Sequence, residues 1–187
     1  MPNQHHAAAP LLETARLHLR QFRADDLNAS HALWCEPAVY KFISGKPSSV
    51  EDIWKGILQT IGHWQLLGYG YWVIEDKASG RAIGNIGFGD FRRDLVPDMN
   101  DTPEAGWSIM TAFHGKGIGT EALRAMLAWG DVHLPHAKTA CIIAPENIAS
   151  VRLAQKFGFR EVAQTTYKGD PTLLLHRERG FIPRTLE

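Results

Sequence analysis

The stretch EAGWSIMTAFHGKGIGTEAL, Glu104–Leu123, carries the order that decides the fold. Its first seven residues, Glu104 to Met110, read as a strand. Three glycines follow, Gly115, Gly117 and Gly119, alternating with Lys116 and Ile118. From Gly119 to His133 the pattern turns helical, with Leu123, Met126, Leu127 and Gly130 on one face. A strand, a glycine-rich turn and a helix entered at Gly119-Thr120 leave several backbone N–H groups pointing one way. Such donors, with the helix dipole behind them, attract a phosphate. Glycines permit close approach because no Cβ intrudes; a turn that merely needs positive φ is the plainer alternative. Two familiar nucleotide loops fail here. The Walker loop needs Ser or Thr after Gly-Lys, but Gly117 follows Lys116, and Met110 stands at its first glycine. The dinucleotide fingerprint has Thr120 at its third glycine.

Outward from this stretch the chain alternates strands and helices. Arg16 to Phe22 alternates as a strand does. Ala24 to Trp34 reads as a helix with Asp25 and Asp26 in its first turn, and Pro37 ends that region. Val50, Ile53, Trp54, Ile57, Leu58 and Ile61 keep helical spacing behind a Ser48 or Ser49 cap; Gly68 and Gly70 break it. Tyr71–Glu75 and Ala82–Phe91 form a hairpin through DKASG, and Gly84, Gly87 and Gly89 mark bends, bulges or close backbone approach. Arg92 to Pro103 is a polar loop. Lys138–Ala144 is a buried-type strand. Asn147–Phe157 is a helix closed by Gly158 in a left-handed conformation, with Phe159 packing back. Arg160–Tyr167 and Pro171–Glu178 are closing strands. The order predicts one α+β domain with a partly antiparallel sheet covered by helices.

Composition narrows the functional classes. The 187 residues hold 20 Lys plus Arg against 20 Asp plus Glu, for zero formal net charge. A broad nucleic-acid footprint is therefore not expected. Cys35 and Cys141 form no C-x-x-C pair, so no disulfide framework or zinc ribbon is expected, and a reduced, cytoplasmic setting is the simple reading. There is no run of ~18 apolar residues, so no membrane span is expected. No H-E-x-x-H pair occurs among the histidines, and no metal is expected. Residues 1–10 read as a flexible tail, in which His5 and His6 are incidental, and 11–187 as the domain.

Taken together, GWSIM, GKGIGTEA, the helix after it, CIIAPENIASVR and KFGF resemble the GNAT superfamily of acyl-CoA N-acetyltransferases. The opening LLETARLHLRQFRADDL and the hairpin WVIE…GRAIGNIGF resemble its ribosomal-protein N-acetyltransferase branch. The resemblance runs from about Leu12 to Glu178 and implies a single GNAT-like domain with a mixed, mostly antiparallel twisted sheet flanked by helices. It implies acetyl-CoA as acetyl donor, a primary amine as acceptor, direct attack and no metal. The N–H groups of His114, Gly115, Lys116, Gly117, Ile118, Gly119 and Thr120 would hold the CoA diphosphate. Trp107, Ser108, Ile109 and Met110 would run beside the pantetheine and bond its amides. His114 stands where the family has Gln or Arg.

For the proton steps the resemblance points to Glu104 as base, direct or through water, against an exposed acid at a strand entrance. Ser150 is a candidate acid or cofactor contact, against an ordinary first-turn serine. Asn147 is a CoA contact by resemblance and a helix cap by chemistry. Ala154 occupies the position where many of these enzymes carry an acidic tyrosine, so that route does not transfer. Asn85 and Tyr69 are candidates for the acceptor side, while Trp72 and His176 read as structural. The acceptor is a protein N-terminus or a small molecule, and the chain a monomer or homodimer. A CoA-binding sensor or scaffold without turnover is the alternative.

Overall fold

The computed structural model describes residues 8–99 and 101–181, so most of the expected tail lies outside the described residues. The strands are β1 (Leu12–Glu13), β2 (Leu17–Arg20), β3 (Tyr71–Asp76), β4 (Arg81–Gly89), β5 (Glu104–Ile109), β6 (Lys138–Ile143), β7 (Arg160–Tyr167) and β8 (Asp170–Glu178). The helices are α1 (Leu27–Trp34), α2 (Pro37–Tyr40), α3 (Val50–Leu67), α4 (Ile118–His133) and α5 (Ile148–Lys156), with short 3-10 turns at Ala24–Asp26 and Thr111–Phe113. The eight strands hydrogen-bond in the order β1-β2-β3-β4-β5-β6-β8-β7. The pairs β1–β2, β2–β3, β3–β4, β6–β8 and β7–β8 are antiparallel, while β5 and β6 are parallel, with Glu104 opposite Ala140. This is the mixed, mostly antiparallel sheet the sequence implies.

The chain divides into two compact units, one of residues up to Gly89 with Gly106–Met126, the other of Asp90–Ala105 with the residues from Leu127 on. In the first, α3 starts where Ser49 accepts a hydrogen bond from the Asp52 amide and stops at Gly68, whose φ of 73° suits a residue without Cβ. Ile53 and Ile57 point into a core with Phe22 and Val73. Trp64 and Trp72, both fully buried, meet edge to face at 4.7 Å. Gly70 makes room for this: a Cβ there would stand 2.6 Å from the Trp64 ring. Removing either indole would cost about 3–5 kcal/mol. The Trp72 Nε1–H donates to the Pro10 carbonyl at 2.8 Å, which ties down the last residue assigned to the tail.

One local expectation is corrected in this unit, and two details are added to the sequence reading. Pro37 opens α2 at its first turn rather than ending a region, because its missing N–H costs nothing there. Leu12–Glu13 is a strand, created by its pairing with Leu19 and His18. Val50, Trp54 and Leu58 of α3 are largely exposed, since the core-facing stripe is Ile53, Ile57 and Trp64.

In the second unit, Leu95, Ala140 and Leu174 form the core, and β8 runs between β6 and β7. Arg177, 1% exposed, donates twice to Asp131 at 2.7 Å and also to the Phe157 and Phe181 carbonyls. Gly158 has φ 85°, and the Phe159 amide returns to the Ala154 carbonyl, as the KFGF pattern predicts. Among the described residues no helix is long and apolar enough to cross a membrane.

Candidate active site

In the first unit, β5 runs close against its neighbours. A Cβ on Gly84 of β4 would collide with the Ser108 carbonyl, and one on Gly106 would collide with the Tyr71 hydroxyl. The Met110 amide donates to the Ile83 carbonyl at 2.9 Å. That amide is engaged within the sheet, so a Met110 contact to pantetheine would use its other atoms. Glu36 accepts from the Thr111 amide at 2.8 Å and fixes the end of the strand.

The glycine loop follows. The His114 amide donates to the Thr111 carbonyl at 3.0 Å. Its ring Nε2 lies 2.8 Å from the Ile109 carbonyl. A carbonyl only accepts, so Nε2 carries the proton. The histidine folds back on β5 instead of reaching outward. Gly115 and Gly117 have φ of 71° and 77°, a conformation other residues rarely hold. A Cβ on Gly115 would meet nothing within 4 Å, so that face of the loop is open. Lys116 extends its ammonium over the Phe113 ring, 5.6 Å from its centre.

Buried Ile118 pins the start of α4. The first helical hydrogen bond runs from the Glu121 amide to the Gly117 carbonyl at 3.0 Å. The N–H groups of Ile118, Gly119 and Thr120 therefore precede the helical ladder and have no acceptor within it. Together with the left-handed glycines they are a set of donors suited to an anion. Asn85 and Tyr69 are also in this unit, and both are almost wholly shielded, at 8% and 7% exposure.

In the second unit Glu104 is 6% exposed, which removes the reading of an open acid at a strand entrance. Arg93 grips it with two hydrogen bonds, Nε to Oε2 at 2.5 Å and Nη2 to Oε1 at 2.8 Å. The guanidinium lies 4.8 Å from the centres of the Phe91 and Tyr167 rings. Burial pulls the Arg93 pKa down, but the hydrogen bonds and charge of Glu104, with Tyr167, raise it above the ordinary arginine value. Burial, then the Glu104 charge, pushes the Cys141 thiol well up.

Asn147 caps α5: its side-chain oxygen accepts from the Ser150 amide at 3.2 Å. The amide NH2 of Asn147 is not used in that bond. Ser150 is half-buried, and Ala154 is fully buried with only a methyl group to offer.

The family model for the acetyltransferase (GNAT) domain matches residues 16–160. The chain belongs to that family. It is an N-acetyltransferase. Among relatives, the uncharacterized N-acetyltransferase p20 of Bacillus licheniformis is 25% identical over 151 residues, 80% of this chain and 82% of that one. A Bordetella pertussis structure described as a GNAT-family acetyltransferase superposes with a TM-score of 0.80 at 28% identity, over 90% of this chain and 99% of that one. The spermidine N-acetyltransferase of Vibrio cholerae, solved with CoA and spermine, shares the fold with a TM-score of 0.69 at 19% identity, over 90% and 98% of the two chains.

Several residues escaped the sequence reading. Arg93 stands in a polar loop 11 residues before Glu104, a separation with no helical or strand periodicity. Thr14, Arg16 and Glu121 meet across more than 100 residues of chain, and Glu36 reaches Thr111 across 75.

Proposed function

We propose that the protein transfers an acetyl group from acetyl-CoA to a primary amine by direct attack. The observation that carries this is the loop: left-handed Gly115 and Gly117 lead into a helix whose first donors have no intrahelical acceptor. In this reading Gly115, Lys116, Gly117, Ile118, Gly119 and Thr120 hold the diphosphate through backbone N–H groups. The backbone of Trp107, Ser108 and Ile109 flanks the pantetheine. Bound acetyl-CoA supplies the acetyl group as a thioester. An N–H fixed on β5 stabilises the charge that grows on the carbonyl oxygen, at no reorganisation cost.

Glu104 receives the proton of the amine. Because Arg93 engages both of its oxygens, we assign the transfer to a water between amine and carboxylate. Ser150 serves the departing thiolate, and Asn147 caps the helix with its oxygen while its NH2 remains for the cofactor. Asn85 and Tyr69 belong to the acceptor side. The acceptor is the amine of a protein N-terminus or a small molecule.

The test is direct. Melting is followed with CoA and acetyl-CoA, and free thiol is followed with acetyl-CoA and a panel of amines. We expect stabilisation by both ligands and amine-dependent thiol release. Glu104→Gln should lower turnover and keep CoA affinity. Stabilisation by neither ligand would sink the reading, and a pH–rate profile unchanged by Glu104→Gln would remove Glu104 as base.

A further inference from the structure

Gly117 tolerates either sign of φ, so the Lys116–Gly117 peptide can in principle turn over. In a trans peptide the C=O and N–H point opposite ways. A turned peptide would present the Lys116 carbonyl where the Gly117 N–H belongs, and an anion would meet an acceptor instead of a donor. One side chain opposes this. Arg16, between β1 and β2, donates from Nη1 to the Lys116 carbonyl at 2.8 Å. A Cβ on Gly117 would lie 3.4 Å from its Nη2, so the guanidinium sits under that residue.

The same arginine addresses a second difficulty. Glu121 lies in the first turn of α4, where an acid suits the helix dipole but repels a bound anion. Arg16 Nε donates to Glu121 Oε2 at 2.7 Å, while the Arg16 amide and the Thr14 hydroxyl donate to Oε1 at 2.8 and 2.6 Å. Burial alone would raise the Glu121 pKa, but these bonds hold it below the ordinary glutamate value. The acid is thus kept ionised, oriented and matched by a cation.

We propose that Arg16 is a positioning residue for the diphosphate cradle: it fixes the Lys116–Gly117 peptide with its N–H available to the ligand, and it cancels the Glu121 charge. Thr14 completes the latch. This rests on the reading of the loop as a CoA site. Arg16 does not touch the reacting atoms.

The experiment compares the wild type with Arg16→Ala, Arg16→Lys and the double variant Arg16→Ala/Glu121→Gln. Dissociation constants for CoA and 3′-dephospho-CoA are measured by calorimetry, and steady-state kinetics use acetyl-CoA and acetyl-pantetheine, which lacks the diphosphate. We expect Arg16→Ala to weaken both CoA forms about 10-fold, comparable to losing one or two hydrogen bonds. KM for acetyl-CoA should rise while kcat and the acetyl-pantetheine kcat/KM stay within about twofold. Arg16→Lys should recover only part, because an ammonium lacks the fork that spans Glu121 and Lys116 together. The double variant should bind CoA better than Arg16→Ala, since the uncompensated acid is gone. Unchanged CoA affinity in Arg16→Ala overturns the proposal, as does a parallel loss with acetyl-pantetheine, which would mean general loosening. Should Arg16→Ala fail to fold, Arg16→Lys decides: wild-type CoA affinity there overturns it. Failure of the wild type to bind CoA is a different result, and it removes the CoA reading itself.

Discussion

Replacing Arg93 by alanine strips the buried Glu104 carboxylate of its counter-charge. Glu104 has 8% of its side chain exposed and Arg93 21%, and the two share hydrogen bonds of 2.5 and 2.8 Å. Breaking a buried pair by removing one partner costs about 3–5 kcal/mol, because the other charge stays desolvated. The partial exposure of Arg93 places this site at the lower end. Lost stacking on Phe91 and Tyr167 adds about 0.5–1 kcal/mol for each ring. We expect a total near 4 kcal/mol, or a fall in Tm of roughly 8–16 °C for a chain of this size. Equilibrium urea unfolding of wild type, Arg93→Ala, Glu104→Gln and the double variant closes the cycle. Glu104→Gln in the Arg93→Ala background should restore stability, because it removes the stranded charge. A loss below about 1 kcal/mol for Arg93→Ala, or further destabilisation by Glu104→Gln in that background, would refute the argument that this pair is desolvated and coupled.

Other consequences are simpler to measure. Gly117→Val forces a β-branched residue to a φ of 77°, with its Cβ against Arg16; the variant should stay folded but no longer gain melting temperature from CoA, and retained stabilisation would mean the anion site lies elsewhere. Cys141 is fully buried with its thiol pKa pushed up, whereas Cys35 is half-buried, so a thiol reagent should label Cys35 in the native protein and Cys141 only on unfolding. His176 has its pKa lowered, first by burial and then by Lys138, and its Nε2 is buried without a partner in the structure. A depressed folded-state pKa means the unfolded chain binds the proton first as pH falls. This histidine therefore costs stability progressively below about pH 6.5. His176→Phe should shrink the drop in stability between about pH 7.5 and 5.5, as read by denaturant unfolding.

Local chemistry made the helix limits legible. Ser49 and Gly68 bound α3, and Asn147 and Gly158 bound α5, because caps and left-handed residues act within one turn. The glycine loop was readable for the same reason. What depends on partners distant in sequence was not. β1 exists only by pairing with β2. The periodicity of α3 named Val50 and Leu58 as readily as Ile53 and Ile57, and packing alone chose between them. The Met110 and His114 amides looked available because their acceptors, Ile83 and Thr111, belong to a strand pairing and a 3-10 turn that composition does not announce. Glu104 was found as an acid at a strand start, but its partner sits in a loop without pattern.

The latch between Thr14, Arg16, Lys116 and Glu121 also bears on when the loop becomes competent. Its side-chain bonds span 100 to 107 residues of sequence, so each closes one of the longest loops in the chain. Contacts of that span form late, after shorter-range structure has reduced the entropy of closure. A ribosome that has delivered residues 1–115 has made the arginine but not yet the loop it must grip. The cradle is thus among the last parts of the molecule to become native, and the Glu121 amide, bonded to the Gly117 carbonyl at the start of α4, should gain hydrogen-exchange protection after the amides of α3.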